Sequence, residues 1–197
     1  MKLNLHTALK NSYKKTDDSA KDMIRTGYIQ DPTLSNHNQQ VYYNSKDKKL
    51  LVSVAGTHNL SDWGTDLWLG AGGLKNTNRY KEADSILKKA KEKYKPIAGN
   101  TTVIGHSLGS TIGSGIASKA GGDKFIGLDG GYTIGQKTTN NPNFQSYRTK
   151  GDIVSGLASG AKHMTTLKNT IPSTGIRPLD VLNAHNINQI RDNKIFI

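Results

Sequence analysis

Apolar residues along this chain fall into two arrangements that take turns: short unbroken runs of strand length, and longer stretches at helical spacing. Strands are predicted at 40–44, 50–55 (Leu-Leu-Val-Ser-Val-Ala), 101–105, 124–128 and 144–148. The first two are joined through the polar turn 45–49 and predict a hairpin. Between the second and third, Tyr80, Ala83, Leu87, Ala90 and Tyr94 recur at steps of three and four, which predicts a helix over 80–95 with Pro96 beyond its end. A second helix is predicted over 107–120, stopped by Gly121-Gly122, and an opening helix over 5–26 (Leu5, Leu9, Tyr13, Ala20, Ile24), stopped by Gly27. Alternation of this kind predicts an α/β fold: a mostly parallel central sheet flanked by helices, with an antiparallel hairpin at its start. Residues 155–180, rich in Gly, Ser and Thr, read as one long loop, and loops of that length in a compact domain usually carry function.

Composition narrows the class. At 197 residues, with no linker and no internal repeat, the expectation is a minimal single domain spanning 1–197. There is no cysteine, hence no disulfide and no thiolate metal site. No apolar run approaches the roughly 20 residues that cross a bilayer, and the start Met1-Lys2-Leu3-Asn4 lacks the apolar centre of a signal peptide. The expectation is a soluble protein, cytoplasmic, or virion-associated if the Lys and Asn bias reflects an A+T-rich viral genome. The net charge of +12 rests on 22 lysines and only five arginines. Such a balance favours diffuse attraction to anionic surfaces, a membrane included, over base readout, which leans on bidentate arginine. A nucleic-acid partner is therefore not expected, and many lysines, such as those on the wet side of 80–95, read as an ordinary solvated face.

The chemistry concentrates at Thr102 to Gly109, Thr-Val-Ile-Gly-His-Ser-Leu-Gly. A buried strand running into Gly-x-Ser-x-Gly and then into a helix projects the Ser107 hydroxyl at a sharp turn, with the free amides of the helix start aimed at the same place. A glycine-rich loop whose serine caps a helix is the plainer account. A second signal lies upstream. The strand 50–55 ends at Gly56-Thr57, and Asp62-Trp63-Gly64-Thr65-Asp66-Leu67 follows. Asp62-Trp63 alone is equally a helix start with a packed aromatic.

Together, strand, Gly-Thr, Asp-Trp-x-x-Asp-Leu and Gly-His-Ser-Leu-Gly resemble the class 3 lipases, small α/β-hydrolases that include the fungal triacylglycerol lipases; the resemblance covers about residues 40–190. It implies an α/β-hydrolase fold, a serine nucleophile at Ser107, and oxyanion contacts at Thr57 and at the amide of Leu108. His106, adjacent to Ser107, is expected to pack or hydrogen-bond.

A serine nucleophile needs a base, and the base a carboxylate that fixes its tautomer. After Ser107 the acids are Asp123, Asp129, Asp152, Asp180 and Asp192, and the histidines His163 and His185. In α/β-hydrolases the order along the chain is Ser, acid, His. Asp152 follows the strand 144–148 in Gly-Asp-Ile-Val, which resembles the acid segment of the family, and it is the assigned acid. Asp129, also at a strand's end, is the rival. His185 is the assigned base by its late position, and His163, only eleven residues after Asp152, the rival.

Departures from the family bear on substrate. The apolar, glycine-flanked stretch Leu67 to Leu74 is either a lid or interfacial rim, or an element buried beneath the site. After the strand 124–128, where the family usually carries proline and arginine, the chain reads Asp129-Gly130-Gly131-Tyr132. Triacylglycerol lipase, phospholipase and short-chain carboxylesterase all fit. The resulting expectation is a lipolytic serine ester hydrolase working through Ser107, His185 and Asp152, without metal or organic cofactor, acting on a lipid or ester substrate and touching anionic membranes peripherally. A catalytically idle hydrolase fold that binds lipid or membrane, or serves a virion structurally, is the alternative. Oligomeric state is open.

Overall fold

The computed structural model describes residues 2–13, 21, 23–57, 73–120, 122–131, 142–152, 155, 164–176, 180 and 183–197. Among these, seven strands form one sheet: β1 (Ile29–Gln30), β2 (Gln39–Asn44), β3 (Lys49–Val54), β4 (Thr101–His106), β5 (Lys124–Leu128), β6 (Phe144–Thr149) and β7 (Met164–Leu167), side by side in sequence order. β1, β2 and β3 pair antiparallel; β3 through β7 are all parallel. The long helices are α1 (Leu5–Tyr13), α2 (Asn78–Tyr94) and α3 (Leu108–Ala120).

The unbroken apolar runs are explained by burial on both faces. Along β2 to β5, alternate residues enter two separate cores. Val41, Val52, Val103 and Phe125 meet Leu87 of α2 and Ile112 and Ile116 of α3 on one face. Tyr42, Leu51, Ile104 and Ile126 meet Leu5 and Leu9 of α1 and Ile190 on the other. The stripe predicted on 80–95 is the buried side of α2: Tyr80, Ala83, Leu87 and Ala90. Because Leu87 of α2 and Ile112 and Ile116 of α3 enter the same core, both helices lie on one side of the sheet.

The hairpin and the three parallel strands after it lie where the pattern puts them, within a residue at each end. α2 begins two residues early because Thr77 accepts the Tyr80 amide as its N-cap, and ends at Lys95, whose φ of 44° is left-handed. α3 begins at Leu108 because Ser107 is not helical. Of the opening helix, 5–13 is helical, as are Lys21, Met23 and Ile24, while 14–20 lie outside the described residues. Two strands have no counterpart in the pattern. β1 is two residues long, and β7 (Met-Thr-Thr-Leu) is an edge strand without a buried residue, inside the stretch read as one long loop. A β-branched pair on a half-exposed edge leaves no apolar run to find. No helix among the described residues is long and apolar enough to cross a membrane.

Candidate active site

Parallel strands deliver their ends to one edge of the sheet, and every described candidate residue except His185 comes directly from such an end. Thr57 follows β3, Ser107 follows β4, Asp129 follows β5 and Asp152 follows β6. This is the edge at which open α/β sheets carry their sites.

Ser107 has a φ of 57°, the left-handed region that non-glycine residues rarely enter. Its amide donates to the Leu128 carbonyl at 2.9 Å, and its carbonyl accepts from Ser110 N at 2.9 Å and Thr111 N at 3.3 Å. The residue is thus held at both ends, by the sheet behind it and by the first turn of α3 ahead. The turn is tight enough that a Cβ at Gly109 would collide with the backbone of Val54 and Ala55. Leu108 opens α3, where helix amides have no intrahelical acceptor.

His185 lies after the helical pair Asn183–Ala184 and just before a 3₁₀ turn, Ile187–Ile190. Its Nδ1 is 2.7 Å from Asp152 Oδ1. Both side chains are buried, so the assigned base and the assigned acid do meet. The other Asp152 oxygen, Oδ2, accepts from the Ser155 amide at 2.8 Å and from its hydroxyl. Burial alone would push this carboxyl up; the His185 bond and charge and the two Ser155 donors outweigh it and hold it below its ordinary value. An ionised Asp152 requires a hydrogen on His185 Nδ1, which in the neutral ring leaves the lone pair on Nε2.

His106 ties Ser107's strand to His185. Its Nε2 is 3.0 Å from the His185 carbonyl, and the two ring centroids are 4.9 Å apart. A carbonyl only accepts, so Nε2 carries the hydrogen and Nδ1 accepts from the Tyr13 hydroxyl at 2.6 Å. Burial, then the nearby His185 charge, pushes His106 down to about 3, so the ring stays neutral. Tyr13 in turn accepts from the Gly56 amide at 2.8 Å. A Cβ at Gly56 would sit 2.6 Å from that hydroxyl and 2.8 Å from the His106 carbonyl, which explains glycine at this position. Arg79 of α2 adds a second clamp, donating from Nη2 to the Ala55 carbonyl at 2.7 Å. The segment carrying half-buried Thr57 is therefore fixed from both faces of the sheet.

Asp129, the rival acid, is wholly buried and does not take the His185 bond. Its Oδ1 accepts the Thr149 amide at 2.7 Å. Burial first, then the Asp152 charge, raises its pKa well above the ordinary value despite the Thr149 donors. One nitrogen or oxygen from each of His106, Asp129 and His185 lies within 4.8 Å of the others. Both nitrogens of His106 are already engaged, with the Tyr13 hydroxyl and the His185 carbonyl, so a cation there would have to displace one of those bonds.

Tyr13, Arg79, Ser155 and Thr149 carry no motif and were not visible as site residues in the sequence. Tyr13 stands on the apolar stripe of α1, and only the need of a buried hydroxyl for a partner hints at more. His163, Asp62, Trp63 and the stretch 67–72 lie outside the described residues.

Sequence comparison finds no matching family and no matching curated protein. Solved structures do match in fold. The Lip2 lipase of Yarrowia lipolytica is similar over 85% of this chain and 78% of its own, at 15% identity and a TM-score of 0.50. A fungal lipase in complex with an inhibitor is similar over 87% and 79%, at 14% identity and a TM-score of 0.51. The extracellular lipase LipA of Serratia marcescens is similar over 89% of this chain but 40% of its own, at 12% identity and a TM-score of 0.56. The chain has an α/β-hydrolase fold.

Proposed function

We propose that the protein is a serine ester hydrolase acting on lipid or other carboxylic esters. Ser107 attacks the ester carbonyl, and His185 Nε2 takes its proton and passes it to the leaving alcohol. Asp152 holds the imidazole tautomer and stabilises the imidazolium, and water then repeats the cycle on the acyl-enzyme. The amides of Thr57 and Leu108 are the donors proposed for the oxyanion, a role that demands two fixed N–H groups where charge develops. The observation that carries the reading is the buried 2.7 Å Asp152–His185 bond at the edge where Ser107 leaves β4 in a left-handed turn. The structural neighbours are lipases, which supports the substrate class by analogy of fold.

Hydrolysis of a soluble ester and of lipid vesicles tests it. Ser107→Ala and His185→Ala are each expected to remove nearly all turnover, and the double variant to lose little more, because the members act as a unit. Asp152→Asn is expected to lower kcat by about 10⁴ with the fold intact. Undiminished hydrolysis by Ser107→Ala would refute the reading and favour an idle hydrolase fold.

A further inference from the structure

Two carboxylates sit behind His185, and the hydrogen atoms available to them assign them different jobs. Asp152 takes the imidazole. Asp129 takes Thr149: its Oδ1 accepts the Thr149 amide at 2.7 Å, and Thr149 Oγ1 is 3.3 Å from each of its oxygens. The same Oγ1 also contacts the carbonyl of Ala184, the residue before His185.

A threonine hydroxyl has one hydrogen to give. An ionised Asp129 and the Ala184 carbonyl would both be pure acceptors around that single hydrogen. Whichever received it, the other would face an oxygen lone pair in a dry interior. A proton on Asp129 resolves this: Oδ2–H donates to Thr149 Oγ1, Thr149 O–H donates to the Ala184 carbonyl, and Oδ1 remains the acceptor of the Thr149 amide.

Charge gives the same answer independently. The groups facing Asp129 are Asp152, His185 and neutral His106. The single Nδ1 hydrogen of the imidazole serves one of the two carboxylates, and the direct bond gives it to Asp152. A second ionised carboxylate, fully buried beside the first, would add like charge with no cation against it.

We propose that Asp129 is a positioning residue, held as a carboxylic acid, whose hydrogen bonds through Thr149 to the Ala184 carbonyl fix the backbone that presents His185, while Asp152 alone carries the charge. The proposal rests on His185 being the base of the hydrolase. It makes Asp129 a part of the site that acts through backbone placement and touches no reacting atom.

Asparagine mimics the protonated acid, with an amide donor toward Thr149 and a carbonyl acceptor for its N–H. Asp129→Asn is therefore expected to restore most of the ester hydrolysis that Asp129→Ala loses, and Thr149→Ser most of what Thr149→Val loses. The Ala and Val variants are expected to lower kcat about 10-fold or more with little change in KM, since a misplaced base slows chemistry without weakening binding.

Denaturation from pH 4 to 8 supplies a readout without activity. The folded protein keeps a proton on Asp129 that the unfolded chain releases above about pH 4. The contribution of Asp129 to stability is thus full below that pH and declines as pH rises toward the folded pKa. Asp129→Asn has no such loss, so its folding equilibrium constant is expected to gain on the parent's about tenfold per pH unit through this window. A difference that stays flat with pH, or turns against Asn, overturns the proposal. So does loss of hydrolysis in Asp129→Asn as deep as in Asp152→Asn, or Thr149→Val turning over like the parent. Failure of the hydrolase reading shows separately, as esterase activity that survives Ser107→Ala; the pH arm is then the measurement that decides Asp129.

Discussion

Ser107 occupies a backbone conformation that costs a non-glycine residue about 1–2 kcal/mol, and the chain accepts it beside a second such residue, Asp129 with a φ of 48°. Both stand at the ends of adjacent parallel strands, where a left-handed residue turns the chain and lifts a side chain off the sheet. Tyr13 shows how the surroundings hold this arrangement. Its hydroxyl joins the Gly56 amide to the His106 ring, and burial pushes it up to about 12, so it stays protonated and can donate. Tyr13→Phe strands both partners. It is expected to cost about 1–3 kcal/mol of stability by denaturant unfolding and to lower kcat more than it changes KM. Unchanged stability would show that the two partners find other bonds. The Asp152–His185 pair was legible because the chain after residue 107 offers few acids and only two histidines, so chain order nearly selects it. Tyr13, Ser155 and Thr149 were not legible, since a hydroxyl's partner is decided by tertiary placement and no local spacing records it.

At the scale of elements, the sheet is built to set the turn after β4. Gly105 pairs with Val54 on one side and Gly127 on the other, and Gly109 lies against the exit of β3. Gly109→Ala is expected to destabilise strongly, because a Cβ there meets backbone that cannot move aside as a side chain would; a thermal midpoint equal to the parent's would mean that α3 can shift. A second device ties α2 to the loop between β1 and β2. Asp31 accepts from Lys93 Nζ at 2.6 Å, the Tyr94 hydroxyl at 2.8 Å and both donors of Thr33. Burial would raise the Asp31 carboxyl, but these donors win and hold it below the usual carboxylate range. A depressed folded pKa contributes stability above the unfolded value near pH 4 and loses it as pH falls further. Asp31→Asn is expected to be less stable than the parent at neutral pH, with the gap closing in acid; a gap independent of pH would deny the ion pair its role. The strands buried on both faces were legible as apolar runs, and α2 as a stripe. β1 and β7 were not, because an edge strand of two residues, or of half-exposed Thr, is specified by its neighbour's free hydrogen bonds.

For the molecule as a whole, the net charge of +12 is its largest unlocalised feature. If lysine-rich surface brings the site to lipid, hydrolysis in anionic vesicles is expected to exceed that in neutral ones and to fall as salt shortens screening to about 3 Å at 1 M, while soluble esters show no such dependence. Equal rates on both vesicle types would remove charge from the account. The fold class was legible at this scale because strands and helices alternate, which only a layered parallel sheet accommodates well. The central claim is that Ser107 is an activated nucleophile. Treatment with a fluorophosphonate probe, followed by peptide mass spectrometry, tests it most directly. The expected result is one adduct on Ser107 that forms at least 100-fold more slowly in His185→Ala and is absent from Ser107→Ala, consistent with a base that activates the hydroxyl. Labelling that persists in Ser107→Ala, or a folded parent that takes up no probe, would contradict it.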